Sequence, residues 1–321
     1  MPASHSATGR TGHSHRAIFL HADGGSLCPG LFDHERGQRM TAAITIHFRR
    51  PELTADCVDS LLADGWAPVL VWDNSADGGR TLRMLEQRYA GEERVHLVRN
   101  MRNLGFGNGM NAALAELGRL GHAGPVLLIN NDARARPGMR PAMDALLGAA
   151  GGPTLIAPRI EQDGREQGWL HYHPWLALVT HRSLPGSFAY LSGCCLLVDR
   201  ADNAAPLFDD GFFMYGEDVE LSWRWRREGG RLALTDHAWL DHAGSASSGQ
   251  ASEAYERFLV RSHWLLAEKL APGFATRALM RALRVPMLLA RGCLRAVRHH
   301  SSTPLSALVE IVKRPDARCG H

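Results

Sequence analysis

Two periods of apolar residues alternate along the chain. Ile44–Phe48, Val69–Trp72, Val95–Val98 and Val126–Ile129 are short, β-branched apolar runs with the length of buried strands. Between them the apolar positions fall three and four apart. Pro51–Asp64 places Val58, Leu61 and Leu62 on one helical face, with Pro51 suited to the first turn and Gly65 as a stop. Thr81–Tyr89 and Gly109–Leu120 predict two further helices. Strand, helix, strand, helix at this spacing implies βαβ units, hence an α/β fold with a mostly parallel sheet flanked by helices.

The second half is less regular. Leu155–Pro158, Gly193–Val198 and Arg231–Leu234 are strand-like, and Asp218–Glu228 is helical with Gly229 and Gly230 as its stop. From Ala254 onward the chain reads as helices broken at Pro272 and Pro286. No internal repeat is present. Residues 1–39 show no periodicity, and Met40 stands just before the first clear strand residues, Ala42 to Ile46. The expected organisation is a disordered leader over 1–39 (or a true start at Met40), a catalytic-sized α/β domain over 40–268, and a basic helical extension over 269–321.

Composition narrows the class. Of 321 residues, 45% are apolar and 21% charged, which excludes disorder of the whole chain. No run of about 18 uncharged apolar residues occurs, which excludes a multi-span membrane protein. The six cysteines form no C-x-x-C pair and no zinc spacing, so free thiols in a reducing cytoplasm are expected, with Cys57 buried in its helical pattern. No secretory signal pattern is visible at the start. The expected location is cytoplasmic, with peripheral contact at the inner face of the plasma membrane left open.

The net charge of +3 hides an asymmetry. From residue 271 on, nine Lys and Arg face only Glu310 and Asp316, a local +7, so the preceding residues sum to −4. Arg277, Arg281, Arg284, Arg291, Arg295 and Arg298 recur at steps of 4, 3, 7, 4 and 3, which is one face of a helix. Two readings of that face stand: docking on an anionic membrane surface, or a face packed on the catalytic body. Nucleic acid is not an expected partner, because no recognisable binding module accompanies the arginines.

Candidate chemistry gathers at the strand ends, where parallel sheets bind ligands. Asp73 and Asn74 follow the second strand, Asn100 and Asn103 the third, and Asn130, Asn131 and Asp132 the fourth. Turn chemistry alone also favours Asp and Asn at such places. The glycine-rich turn Gly105-Phe106-Gly107-Asn108-Gly109 opens a helix, where glycines let a backbone approach a ligand. It follows the third strand rather than the first, so it is no dinucleotide fingerprint. Asp132 is a hard oxygen ligand suited to Mg2+ or Mn2+ on a diphosphate. Glu217 and Asp218 open a helix amid Phe212, Phe213, Tyr215 and Trp223, where a carboxylate either caps amides or acts as a general base. His242 closes a strand-like segment before a Gly/Ser loop, which makes it a candidate ligand.

Five stretches in this order resemble the family 2 glycosyltransferases, inverting nucleotide-sugar enzymes of the GT-A fold. They are the first strand with Arg49-Arg50-Pro51-Glu52-Leu53, then Val71-Trp72-Asp73-Asn74-Ser75, then Asn103-Leu104-Gly105-Phe106-Gly107 through Asn111, then Leu127 to Ala133, and finally Phe213 to Leu221 with Trp223 and Arg224. The likeness spans about Ala42 to Leu266, and the branch is similar to rhamnosyltransferase-like enzymes of bacterial surface polysaccharide synthesis. The resemblance implies that Asp73 binds the nucleotide base beside His47 and Phe48. It implies that Asn74, Asn103, Gly105, Phe106, Asn111, Asn130 and Asn131 line the nucleotide-sugar site. It makes Asp132 the last acid of a D-x-D element holding Mg2+ or Mn2+, with Asn130 in its first position and His242 completing the coordination. Asp218 becomes the base, Glu217 its neighbour that orients it or the acceptor, and Ser192, Gly193 and Trp223 the acceptor side. The implied reaction moves a sugar from a dTDP-, UDP- or GDP-linked donor to a hydroxyl of a glycan or lipid-linked glycan. The alternative is a non-catalytic nucleotide-sugar-binding protein on the same fold. The segment Trp169 to Trp175 fits either stacking on sugar rings or packing.

Overall fold

The structure, a computed structural model, describes residues 19–21, 41–199, 206–243 and 252–313. Its elements in chain order are β1 (Phe19–His21), β2 (Ala42–His47), α1 (Pro51–Ala63), β3 (Val69–Asp73), α2 (Leu82–Arg88), β4 (Val95–Arg99), α3 (Phe106–Arg119) and β5 (Val126–Asn130). There follow β6 (Ala133–Ala135), α4 (Met139–Gly148), β7 (Thr154–Gln162), β8 (Arg165–Gln167), β9 (Leu170–His173), β10 (Leu178–Thr180), β11 (Phe188–Tyr190) and β12 (Cys195–Asp199). The chain ends in α5 (Glu217–Arg227), β13 (Arg231–His242), α6 (Glu253–Leu270), α7 (Phe274–His299) and α8 (Thr303–Lys313).

The main sheet has ten strands in the order β1-β4-β3-β2-β5-β12-β7-β13-β6, with β8 beside β7. From β4 to β5 the pairing is parallel, and the strands carry apolar residues on both faces because helices cover both. Alternation sorts them. Ala43, Val69, Val71 and Ile129 meet α1, α2 and α4 through Val58, Leu61, Leu82 and Met143. Ile44, Leu70 and Leu128 meet α3 and α5 through Met110, Leu114, Leu117 and Trp225. Beyond β5 the sheet is mixed: β12 runs antiparallel to β5 and β7, while β13 returns parallel to β7.

Several expectations are corrected. The leader and the suggested start at Met40 lie outside the described residues, except that Phe19–His21 pairs in parallel with β4 and so is a strand. The third helix opens at Phe106, three residues before the expected Gly109. Of Trp169 to Trp175, Leu170–His173 forms β9 of a second sheet, β10-β9-β11, where Tyr172 is buried with Tyr190, Phe212 and Leu266, and Trp169 and Trp175 pack on neighbouring apolar clusters. Pro286 does not break α7, which runs unbroken from Phe274 to His299. An interior proline costs about 3 kcal/mol. Burial of Met280, Arg284, Leu288 and Gly292 on both sides of it against α6 and α8 outweighs that cost.

The arginine face of α7 turns inward. Arg284 is fully buried; its Nε donates to the Pro174 carbonyl at 2.8 Å and its Nη1 and Nη2 to the carbonyls of His263 and Pro174. Arg291 donates to His263 Nε2 at 3.2 Å, and Arg295 pairs with Glu256 at 2.5 Å. Arg284, Arg291 and Arg295 of this face thus pack on the body, while Arg277 is half-buried and Arg298 exposed. Burial first, then the Arg291 and Arg284 charges, hold the His263 imidazole well below its usual range, so it stays neutral between them.

Candidate active site

Parallel register brings the predicted strand ends to one rim. His47 lies opposite Asp73 across β2 and β3, and Ile46 lies opposite Asn130 across β2 and β5. Asp73 is buried; its Oδ1 accepts from the Ser75 amide at 2.9 Å, and its Oδ2 has no hydrogen-bond partner. A buried acceptor left open is costly unless a ligand completes it, and a base N–H is such a donor. His47 lies between Thr54 Oγ1 (2.8 Å) and Thr81 Oγ1 (3.0 Å), and burial lowers its pKa. Asn131 donates to the same Thr54 hydroxyl at 3.1 Å, so its amide braces α1. Phe48 is half-buried, with the Arg49 guanidinium 5.0 Å from its ring.

The glycine turn packs closely on protein. Gly105 has φ +79, and a Cβ there would overlap the Phe213 carbonyl oxygen, which accepts from the Phe106 amide at 2.9 Å. A Cβ on Gly107 would come 3.1 Å from Phe208 Cβ, and one on Gly109 2.8 Å from Asn74 Nδ2. The glycines therefore admit protein, locking this turn to the loop that precedes α5. Asn74 donates to the Gly105 carbonyl at 2.7 Å, and Asn103 Oδ1 accepts from the Gly105 amide at 3.0 Å. Asn111 accepts from the Leu207 and Phe208 amides at 2.8 and 2.9 Å and donates to the Phe208 carbonyl at 2.8 Å. Asn74 and Asn111 thus shape the site through backbone.

Asp132 and His242 meet where β6 pairs with β13. His242 Nε2 lies 3.3 Å from Asp132 Oδ1, both side chains nearly enclosed. His242 Nδ1 faces Gln162 Oε1 at 3.2 Å, and that oxygen also accepts from Gln167 at 3.1 Å. With Nδ1 turned to Gln162, Nε2 is the ring nitrogen turned to the Asp132 carboxylate, and it makes no hydrogen bond there. An imidazole nitrogen and a carboxylate oxygen in this arrangement are groups that would serve together as ligands of one cation. Among the described residues no third His, Cys, Asp or Glu joins them. The half-buried Asn130 donates its backbone amide to the Cys194 carbonyl at 2.8 Å.

The Glu217–Asp218 pair opens α5 behind Tyr215 (φ 68) and Gly216 (φ 85), two successive left-handed residues. This turn aims the first helical turn at the Ser192-Gly193 loop. Asp218 Oδ2 accepts from the Gly193 amide at 3.0 Å and Oδ1 from the Val219 amide at 2.8 Å. Glu217 is buried with Oε2 unpartnered. Burial, then the charge of Asp218, pushes the Glu217 carboxyl up to about 8. Burial also raises Asp218, against the two amides that favour its ionised form. The two carboxyls hold their protons more tightly than exposed ones, and the two amides favour Asp218 over Glu217 as the seat of the pair's negative charge. Ser192 Oγ accepts from the Cys194 amide at 3.3 Å. Trp223 is half-buried under the Arg227 guanidinium, 4.6 Å from its ring.

The structure thus gathers the nucleotide-side residues on one rim, joins Asp132 to His242, and sets Gly193 against Asp218. Sequence reasoning missed Thr54, Thr81 and Gln162. A hydroxyl within an amphipathic helix and a glutamine in an irregular strand carry no periodic or motif signal.

Carboxylates and asparagines thus stand at the parallel strand ends, and a buried carboxylate pair opens α5. No family model matches the chain. Over 225 residues it is 31% identical to N-acetylglucosaminyl-diphospho-decaprenol L-rhamnosyltransferase of Mycobacterium tuberculosis, in strains CDC 1551 / Oshkosh and ATCC 25618 / H37Rv alike, covering 60% of this chain and 71% of the relative. The chain belongs to the family 2 glycosyltransferases, of GT-A type. Among solved structures it is similar to residues 1–349 of TarS from S. aureus, with TM-score 0.46 and 14% identity over 87% of this chain and 93% of that one. It is also similar to the mannosyltransferase PcManGT from Pyrobaculum calidifontis, solved with GDP-Man and Mn2+, with TM-score 0.49 and 14% identity over 86% of this chain and 75% of that one.

Proposed function

We propose that the protein moves a sugar, with inversion, from a nucleoside-diphosphate donor to a hydroxyl of a glycan or lipid-linked glycan in cell-surface polysaccharide synthesis. The observation that carries this is Asp218, a carboxylate held by two backbone amides beside a neutral Glu217. Asp218 takes the proton of the acceptor hydroxyl. The acceptor oxygen bonds to the anomeric carbon as the bond to the diphosphate breaks, and the nucleoside diphosphate leaves. Glu217, already protonated, holds its place without competing for that proton. The open Oδ2 of Asp73 accepts from an N–H of the base, which thymine, uracil and guanine all offer.

In this reading Asp132 and His242 would hold Mg2+ or Mn2+ beside the donor's diphosphate. When bound, the cation neutralises charge on the departing phosphates. The similarity to a rhamnosyltransferase supports a deoxyhexose donor and a polyprenyl-diphosphate-linked acceptor.

Asp218→Asn lowers transfer by about a thousandfold and leaves the donor Kd within a factor of about three. Transfer assayed beside calorimetric donor binding reads both, and full activity in this variant overturns the base assignment. Asp132→Ala removes the stimulation by Mn2+; wild-type activity that persists undiminished in chelator counts against the metal. Thermal shifts with dTDP-, UDP- and GDP-sugars identify the donor, since a ligand that binds only the folded state raises its Tm.

A further inference from the structure

The inward turn of its arginines leaves α7 with an unusual outer face. Every residue exposed on α7 from Phe274 to Val297 is uncharged. Phe274, Leu294 and Val297 are 76%, 73% and 75% exposed, and Leu279, Leu283 and Leu289 are exposed with them. The helix has 26 residues, about 39 Å at 1.5 Å per residue, so the face is long and continuous. An apolar stripe of this extent marks an interaction surface. No helix among the described residues is long and apolar enough to cross a membrane.

We propose that this face lies in the interface of an anionic lipid bilayer, with the apolar side chains toward the acyl region and the helix parallel to the surface. Charge selects lipid over a second copy of the chain. Helix α7 contains no Asp or Glu, and its ends carry Arg277, Arg298 and His299. Arg284 and Arg291 are turned onto the body and Arg281 and Arg295 pair with Glu268 and Glu256, so Arg277 and Arg298 carry the positive charge beside the stripe. Two such tails face to face repel, whereas anionic headgroups neutralise them, each nearby Lys or Arg contributing about 1 kcal/mol. Phe274 lies 5.4 Å from the Arg277 guanidinium, which places an amphipathic pair at one end of the stripe. This inverts the usual interfacial helix: the polar face is satisfied by the protein, through Pro174, His263 and Glu256, and only the apolar face is left for lipid. The surface also fits the lipid-linked acceptor proposed above, but its argument stands on α7 alone.

Flotation with acceptor-free vesicles tests it apart from transfer activity. The full chain floats with equimolar phosphatidylcholine and phosphatidylglycerol. A double Leu279→Glu, Leu294→Glu variant partitions at least about tenfold more weakly. The milder Leu279→Ser, Leu294→Ser pair, which shares the fold's melting profile, lies between them. Arg298→Glu weakens binding to the anionic vesicles and leaves binding to pure phosphatidylcholine unchanged. A wild-type chain that does not float overturns the proposal. So does one that sediments as a dimer and becomes a monomer in the glutamate variant, because a second copy then covers the face.

Discussion

At the scale of single residues, the site turns on which of two adjacent carboxyls holds the proton. Glu217 titrates near 8 in the folded chain, against 4.5 for its ordinary value. Between those values the native state keeps a proton that the unfolded chain has released. Stability therefore falls as pH rises through this window, by at most about 1.4 kcal/mol per unit. Glu217→Gln, a neutral isostere, flattens that fall; urea midpoints at pH 5 and pH 8 measure it. The same variant keeps transfer near wild type at pH 7, because glutamine mimics the protonated acid. A Glu217→Gln enzyme as impaired as Asp218→Asn shows instead that Glu217 is the base.

At the scale of elements, the loop before α5 is fastened to the start of α3. Asn111 makes three hydrogen bonds to the backbone at 207–208, and the carbonyl of Phe213 occupies the space that Gly105 leaves open. Asn111→Ala costs about 2–3 kcal/mol at roughly 1 kcal/mol per bond. It also loosens the turn that carries Asp218, so kcat falls while a chemical-denaturation midpoint drops. This level also explains what the sequence makes legible. The βαβ half was readable because buried strands and amphipathic helices have distinct periods, and four strand ends then locate the rim. The mixed half was not, since β7 and β13 read as short apolar fragments while their full lengths are set by pairing with each other. The three-residue strands β10 and β11 are too brief for any period to register. Asp132, His242 and Asp218 were found from motif resemblance. The orientation of His242 toward Asp132 involves Gln162, far away in sequence, and is visible only in the fold. Asn111 and Gly105 match the family pattern, yet their contacts are with protein, a distinction no spacing contains.

At the scale of the molecule, the C-terminal helices are joined to the catalytic body by a guanidinium. Arg284 bridges α7, α6 and the second sheet through the carbonyls of His263 and Pro174, with its guanidinium 5.7 Å from the Tyr172 ring. Arg284→Met leaves those carbonyls buried without donors and costs about 3 kcal/mol. The loss reads as a lowered Tm, with limited proteolysis releasing the segment from 271 onward first. A basic tail that seemed, as sequence, a surface feature is thus partly core. One further consequence follows from the path between Glu217 and His242. Helix α5 and strand β13 adjoin in the chain, so the proposed base Asp218 and the proposed ligand His242 travel on one short stretch, residues 217–242. Such a stretch is a cassette. Recombination between relatives that exchanged it would carry both groups together, with their mutual spacing intact, and would leave the parallel βαβ half to vary independently.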